Sequence, residues 1–290
     1  MELLHIAQSE GKLLRFLRRE LNISSGLVSR LKFRDAFLVN GAPVHTDYIV
    51  RPGDEIRVVL DEPAPDYPAE PGPLDILYED EAMIALDKPP GLIMHPTFNR
   101  TTGTLANRLL AHYQATGQAC AVHPVSRLDK GTTGLMTVAK YGYVQELLKR
   151  KMHSDDFRRE YRGIAVGHVE PQSGEIYGSI DFAGEASYKR TIVENGPEAR
   201  TGYEVISYHG DYTLLRLIPY TGKTHQLRVH MSSIGFPLAG DFMYGAEDRD
   251  RICRPALHSY ELWMKHPMTG EALHLICPLP EDMHKLLKPL

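Results

Sequence analysis

The stretch HPVSRLDKGTTGLMTVAK, residues 123–140, decides how the rest of the chain is read. Arg127 and Asp129 flank Leu128, and a turn follows at once over Lys130–Gly134. Leu135, Met136, Val138 and Ala139 then run apolar, as in a buried strand. A Gly/Thr turn backed by a core strand is a rigid mount, and an aspartate at its mouth is open to a ligand. The same residue types also build Asx turns and helix caps. On this segment alone the two readings stand level.

The composition bounds the choice. At 290 residues there is room for a domain of ordinary size plus a small module. An apolar content of 42% and a charged content of 24% are those of a soluble globular protein. No apolar run reaches the roughly 18 residues of a membrane span. Glu2, His5 and Glu10 do not suit a secretory leader. Cys120, Cys253 and Cys277 are odd in number and far apart, which predicts a reduced cytoplasm and neither a disulfide framework nor a CxxC metal site.

Charge is unevenly spread. The net charge is −4, yet residues 11–58 carry nine basic and five acidic side chains, and residues 61–87 carry nine acids with no Lys or Arg. Local patches matter more than the total for binding phosphate. Residues 61–73, DEPAPDYPAEPGP, hold five prolines and read as an extended, semi-rigid linker. The chain therefore divides into residues 1–60, a linker over 61–73, and residues 74–290.

In the first part, Leu13, Leu14, Phe16, Leu17 and Leu21 give a helical apolar stripe. Residues 22–25, NISS, offer a cap for a second helix carrying Leu27, Val28 and Leu31. Short strands follow at residues 37–39 and 55–60. In the last part, strands are expected near 82–87, 134–139, 160–166, 201–207 and 213–217, and helices near 104–113, 143–152 and 224–234. No long βαβ repeat occurs. The fold class is α+β, with a mixed, largely antiparallel sheet and flanking helices.

Four blocks occur in order: LDKPPGLIMHP at 86–96, the opening stretch, FRREYRGIAVG at 157–167, and TGKTHQLRVHM at 221–231 continuing through Gly235–Gly245. With Arg254–His258 and His266–Gly270, they closely resemble the RluA-type family of RNA pseudouridine synthases. The resemblance runs from about Leu74 to Pro280, and its ordered spacing makes it specific. Residues 11–60, with VNG at 39–41 and PGD at 52–54, resemble the small S-four-like RNA-binding domain shared with a ribosomal protein.

The resemblance implies roles residue by residue. Asp129 matches the catalytic aspartate, which attacks as a nucleophile or stabilises positive charge at the sugar. Both roles require the ionised form, which a nearby guanidinium favours. Arg228 matches the arginine that pairs with it; without the resemblance it reads as a surface arginine on a helix. Tyr161 matches the active-site tyrosine, better suited to stacking on uracil than to acting as a base. Arg127 matches a residue that fills the gap left by an extruded base, a role that competes with a simple phosphate clamp. The commoner family pattern has His directly before Arg-Leu-Asp; here Ser126 stands there and His123 lies four residues before Arg127. Lys223 stands where the family often has arginine. Arg15, Arg18, Arg30 and Lys32 are expected to meet RNA through the first module; by residue type alone they read as a solvated face. His225 and His230, five apart on an expected helix, fall on different faces, so they read as packing or RNA contacts and not as metal ligands.

The expected function is thus isomerisation of specific uridines in structured RNA, chiefly ribosomal RNA. The expected protein is a cytoplasmic monomer that uses no metal or organic cofactor and meets no membrane. Transfer RNA as substrate and a catalytically inactive RNA-binding relative are the alternatives. A base-cleaving enzyme using the same aspartate is a third class, separated by release of free uracil.

Overall fold

The computed structural model describes residues 1–288 apart from 64, 153, 185, 186 and 246. The first part contains β1 (Glu2–Ile6), β2 (Gly11–Lys12), α1 (Leu13–Arg19), α2 (Ser25–Leu31), β3 (Phe37–Val39), β4 (Ala42–Pro43), β5 (Ile49–Val50) and β6 (Glu55–Val59). β1, β6, β3 and β4 make a four-stranded antiparallel sheet, in that order. The expected apolar stripe buries Leu13, Phe16 and Leu17. Ser24 caps α2 by accepting from the Leu27 N–H at 3.1 Å. β1 adds an edge that the periodicity of residues 11–60 leaves unannounced.

The larger part runs β7 (Asp75–Glu79), β8 (Met83–Lys88), α3 (Leu105–Ala115), β9 (His123–Pro124), β10 (Thr133–Ala139), α4 (Gly142–Lys151), β11 (Phe157–Val166), β12 (Ser173–Phe182), β13 (Arg190–Val193), β14 (Glu198–His209), β15 (Tyr212–Pro219), α5 (Gln226–Ser233), β16 (Leu257–Lys265), β17 (Ala272–Ile276) and α6 (Glu281–Leu286). The main path of its sheet is β13-β12-β14-β15-β11-β16-β10-β8-β7, with β17 on β16 and β9 on β10. Every pairing is antiparallel except β10 with β16. The expected α+β class with a mixed, largely antiparallel sheet is what the chain adopts.

The parallel pairing depends on Gly134. Its φ is +102°, and a Cβ there would lie 2.2 Å from the Ser259 carbonyl oxygen. Only glycine lets β10 run this close to β16 directly behind the Asp129 turn. His258 braces the same spot, its Nδ1 2.8 Å from the Thr133 hydroxyl and its Nε2 3.0 Å from the Cys277 carbonyl. The carbonyl can only accept, so Nε2 carries the proton and Thr133 donates to Nδ1.

The two parts share a core. Leu17, Leu27 and Val28 belong to the same buried cluster as Tyr143, Val144 and Leu148 of α4. Burying a Leu or Val side chain contributes about 1.5–3 kcal/mol. Polar contacts close the seam: the Tyr143 hydroxyl donates to the Leu21 carbonyl at 2.8 Å, and the Ser24 hydroxyl to Glu146 at 2.7 Å. The Pro-rich segment is laid against α3. Asn107 Nδ2 donates to the Pro68 carbonyl at 2.7 Å, and the Arg108 guanidinium to the Pro73 carbonyl at 3.1 Å. His123 meets Glu62 of the same segment, Nε2 to Oε2 at 3.0 Å, so this histidine holds the connector and does not border the Asp129 cavity.

Candidate active site

A cavity of about 720 Å³ opens where the loop after β9, β11, the end of β15 and the start of α5 meet. Arg127, Asp129, Tyr161, Lys223 and Arg228 all line it. These residues span a hundred positions of sequence and converge on one space. Arg15, Arg18, Arg30 and Lys32 do not border the cavity. They are exposed on the first module, where Arg18 is partly occupied in donating to the Ile23 carbonyl at 2.7 Å.

Asp129 sits on the rim of the turn, its side chain 26% exposed. Arg228 reaches it from α5, Nη1 to Oδ2 at 3.2 Å. Arg228 is not the surface residue that helix periodicity alone allows: its side chain is only 5% exposed. Its other edge forms a two-pronged bond to Asp241, Nε to Oδ2 at 2.7 Å and Nη2 to Oδ1 at 2.8 Å. Burial works against the guanidinium charge, but Asp241, together with Asp129, outweighs it and raises the Arg228 pKa. Asp241 is fully buried. Sequence reading includes Asp241 in the Gly235–Gly245 block without giving it a task; an acid directly after the Pro-Leu-Ala-Gly run was the available signal. Gly240 before it has φ +72°, and a Cβ there would lie 2.2 Å from the Arg254 carbonyl oxygen, so the approach to Asp241 is also glycine-dependent.

Tyr161 enters from β11. The register against β16 slips between Glu160 and Tyr161, where Glu160 faces Glu261 but Tyr161 faces Ser259. The residue left over is Tyr260 of β16, so β11 keeps its alternation: Arg159 and Tyr161, two apart, line the cavity, while Glu160 on the other face bonds Arg216 at 2.7 Å.

Behind the turn, Lys88 is fully buried and donates to the carbonyls of Pro89 at 2.9 Å and Leu92 at 3.2 Å. Burial, with Arg254 nearby, pushes its pKa down to about 8. It pins residues 89–92 beneath the Asp129 loop, a role hidden in the LDKPPG block.

His225 corrects the helical expectation. It is the N-cap of α5, with φ +60°, and lies outside the helix proper. That backbone turns its ring into the cavity, Nε2 3.8 Å from Asp129 Oδ2. His230 is buried packing, Nδ1 2.9 Å from the Thr201 hydroxyl.

Charge sorts the cavity further. Among the described residues its lining carries Arg127, Lys130, Lys149, Arg159, Arg190, Lys223 and Arg228, against a single carboxylate, Asp129. An overall acidic chain therefore presents one basic concavity around one acid. Such a surface can hold a polyanion by its phosphates while a lone carboxylate faces a reacting centre. Among the described residues, no group of three or more His, Cys, Asp or Glu is arranged to hold a metal ion.

Residues 82–233 match the sequence profile of the family described as RNA pseudouridylate synthase. The chain belongs to this family. This family assignment makes it an RNA pseudouridine synthase, an isomerase acting on RNA. It is 38% identical to the uncharacterized RNA pseudouridine synthase YjbO of Bacillus subtilis (strain 168), over 93% of this chain and 96% of that one. It is 39% identical to the ribosomal large subunit pseudouridine synthase D of Nitrosomonas europaea, over 82% of this chain and 72% of that one. Among solved structures, human RNA pseudouridylate synthase domain containing 4 superposes with a TM-score of 0.60 at 25% identity, covering 73% of this chain and 91% of that one. The profile match spans the Lys88 loop, Arg127, Asp129, Tyr161 and Arg228, and stops before Asp241. Among the described residues, no helix of this pseudouridine synthase is long and apolar enough to cross a membrane.

Proposed function

We propose that this pseudouridine synthase isomerises specific uridines in structured ribosomal RNA, with Asp129 as the catalytic carboxylate. The observation that carries the reading is the lone acid of a basic cavity, held 3.2 Å from a buried arginine. In the reaction the bond from ribose C1′ to uracil N1 breaks, the base turns, and C1′ joins C5. The proton lost from C5 is matched by one gained at N1, so no redox partner is needed. Asp129 acts as an anion, by bonding to the nucleoside or by stabilising positive charge at the sugar. Tyr161 supplies a face for the uracil. The first module, read as S-four-like, adds RNA contacts through Arg15, Arg18, Arg30 and Lys32, and Lys223 adds one at the cavity. Three free cysteines suit a reduced cytoplasm, the compartment in which the enzyme would work.

Relatives named for the ribosomal large subunit favour ribosomal over transfer RNA. Mapping pseudouridines in cells with and without the gene tests this. The expected result is loss of one or a few sites in ribosomal RNA; loss confined to transfer RNA would move the target there.

Arg127 is exposed at the cavity rim and, among the described residues, makes no hydrogen bond or ion pair. It is free to enter a base stack. A stacked uridine must be extruded to reach Asp129, at a cost of a few kcal/mol, and least when already unstacked. Arg127→Ala is therefore expected to slow turnover more on a structured RNA than on an unstructured oligonucleotide with the same uridine. Single-turnover rates at saturating enzyme measure this. Equal fractional losses would make Arg127 a phosphate clamp.

A further inference from the structure

Tyr244, His225 and Asp129 form a chain whose hydrogen bonds can be assigned by counting protons. The Tyr244 hydroxyl lies 2.9 Å from the Arg190 backbone nitrogen and 2.8 Å from His225 Nδ1. The Arg190 N–H can only donate, so the phenol oxygen accepts there. Tyr244 is 7% exposed and has one proton to give. His225 Nδ1 is its acceptor among the described residues. An Nδ1–H tautomer would leave that hydroxyl proton unused in a buried setting, which is costly. The assignment that satisfies Tyr244 puts the imidazole proton on Nε2, which faces Asp129 Oδ2 at 3.8 Å, just beyond hydrogen-bond distance.

We propose that His225 is a positioning residue for Asp129: Tyr244 locks it as the neutral Nε2–H tautomer, and that N–H, aimed at Asp129 from 3.8 Å, closes to hydrogen-bond distance when the nucleoside binds and then holds the carboxylate as a second donor beside Arg228. This rests on Asp129 being the reacting carboxylate. The lock also ties the strand that carries Arg190 to the reacting centre through a single backbone N–H.

The surroundings agree. Burial lowers the His225 pKa, opposed by Asp129 and assisted by Arg228. The charged groups around the imidazole are Asp129 from the turn, Arg228 and Lys223 from its own segment, Asp241 from the loop before Tyr244, and Arg190 from β13. Burial also keeps the Tyr244 pKa above its ordinary value, so its proton stays available. A protonated imidazole would lack the Nδ1 lone pair that Tyr244 needs. It would also place a full positive charge against Asp129 and draw off its reactivity. The neutral form is therefore the working one, and the turnover rate should fall as pH drops through the His225 pKa.

Three variants and one spectrum test this. His225→Leu is expected to slow single turnover on the order of 10²-fold, the scale of a misplaced reacting group. His225→Gln, whose amide N–H can stand in for Nε2–H, is expected to recover to within about tenfold of wild type and to lose the acid limb assigned to His225. Tyr244→Phe removes the hydroxyl that favours the neutral ring, so the acid limb should move to higher pH. Thermal unfolding of each variant checks that the fold is kept. Equal losses in the Leu and Gln variants, or an unmoved acid limb in Tyr244→Phe, would overturn the proposal. Nitrogen NMR of the labelled full chain, with His225→Gln as the assignment control, should find the proton on Nε2. An Nδ1–H tautomer or an imidazolium at neutral pH would overturn it too. The spectrum needs no RNA, so it decides the tautomer even if the chosen RNA is not a substrate; that failure would count against the target alone.

Discussion

Asp129→Asn should leave no measurable pseudouridine formation, a loss of at least ~10³-fold, the scale seen when a reacting group is removed. The change is nearly isosteric and removes the only carboxylate among the described residues of the cavity lining. Arg228 keeps its two bonds to Asp241, so the guanidinium is not orphaned and the fold should hold. RNA affinity should persist, because the seven basic side chains of the lining are untouched. The measurement is tritium release or direct pseudouridine mapping under single-turnover conditions, alongside RNA binding by the same preparation. Substantial turnover by a folded Asp129→Asn protein would remove Asp129 from the chemistry, whatever the family assignment.

Asp241→Asn should act on stability first. Arg228 is 5% exposed and Asp241 0%, so neither can turn to water when the other is neutralised. Breaking one side of a buried pair costs about 3–5 kcal/mol, mostly the penalty of the charge left behind. Asp129 can offset only part of this, since it meets one guanidinium nitrogen and is itself part-exposed. An exposed pair gives the contrast: Arg249 and Glu247 are 79% and 50% exposed, and Glu247→Gln should change stability by less than about 1 kcal/mol. Urea unfolding of both variants measures the difference. Asp241→Leu combined with Arg228→Met should cost less than Asp241→Asn alone, because no charge is stranded. Asp241→Asn should also slow turnover, as the Arg228 fork loses the anchor that aims it at Asp129. A loss under 1 kcal/mol for Asp241→Asn would mean that water or a shifted side chain rescues Arg228.

Wherever the physics is local, the sequence was sufficient. Ser24 caps α2 as its position in NISS suggests, because a cap needs only its own next three residues. The apolar run after Asp129 is β10, buried along its whole length, because a strand covered on both faces shows as continuous apolar sequence. Helices near 104–113 and 143–152 are α3 and α4, since 3.6-residue periodicity is visible within a dozen positions. The ordered motifs likewise bring Arg127, Asp129, Tyr161, Lys223 and Arg228 to one cavity.

Tertiary structure decided what no window contains. The Asp129–Arg228 bond joins residues 99 apart, and the Asp241 clamp depends on a backbone approach that only Gly240 permits. Tyr161 reaches the same cavity as Asp129 because β11 is paired between β15 and β16, strands far from it in sequence. His225 looked like a residue on a helix face; a left-handed backbone at the helix entrance turned it toward Asp129 instead. The docking of the first module on α4, and the basic cavity in a chain of net charge −4, are also invisible in composition. Periodicity, caps and turns are short-range energies written in neighbouring residues. Which strands pair, in what register, and which buried charges then meet are settled only when the whole sheet closes.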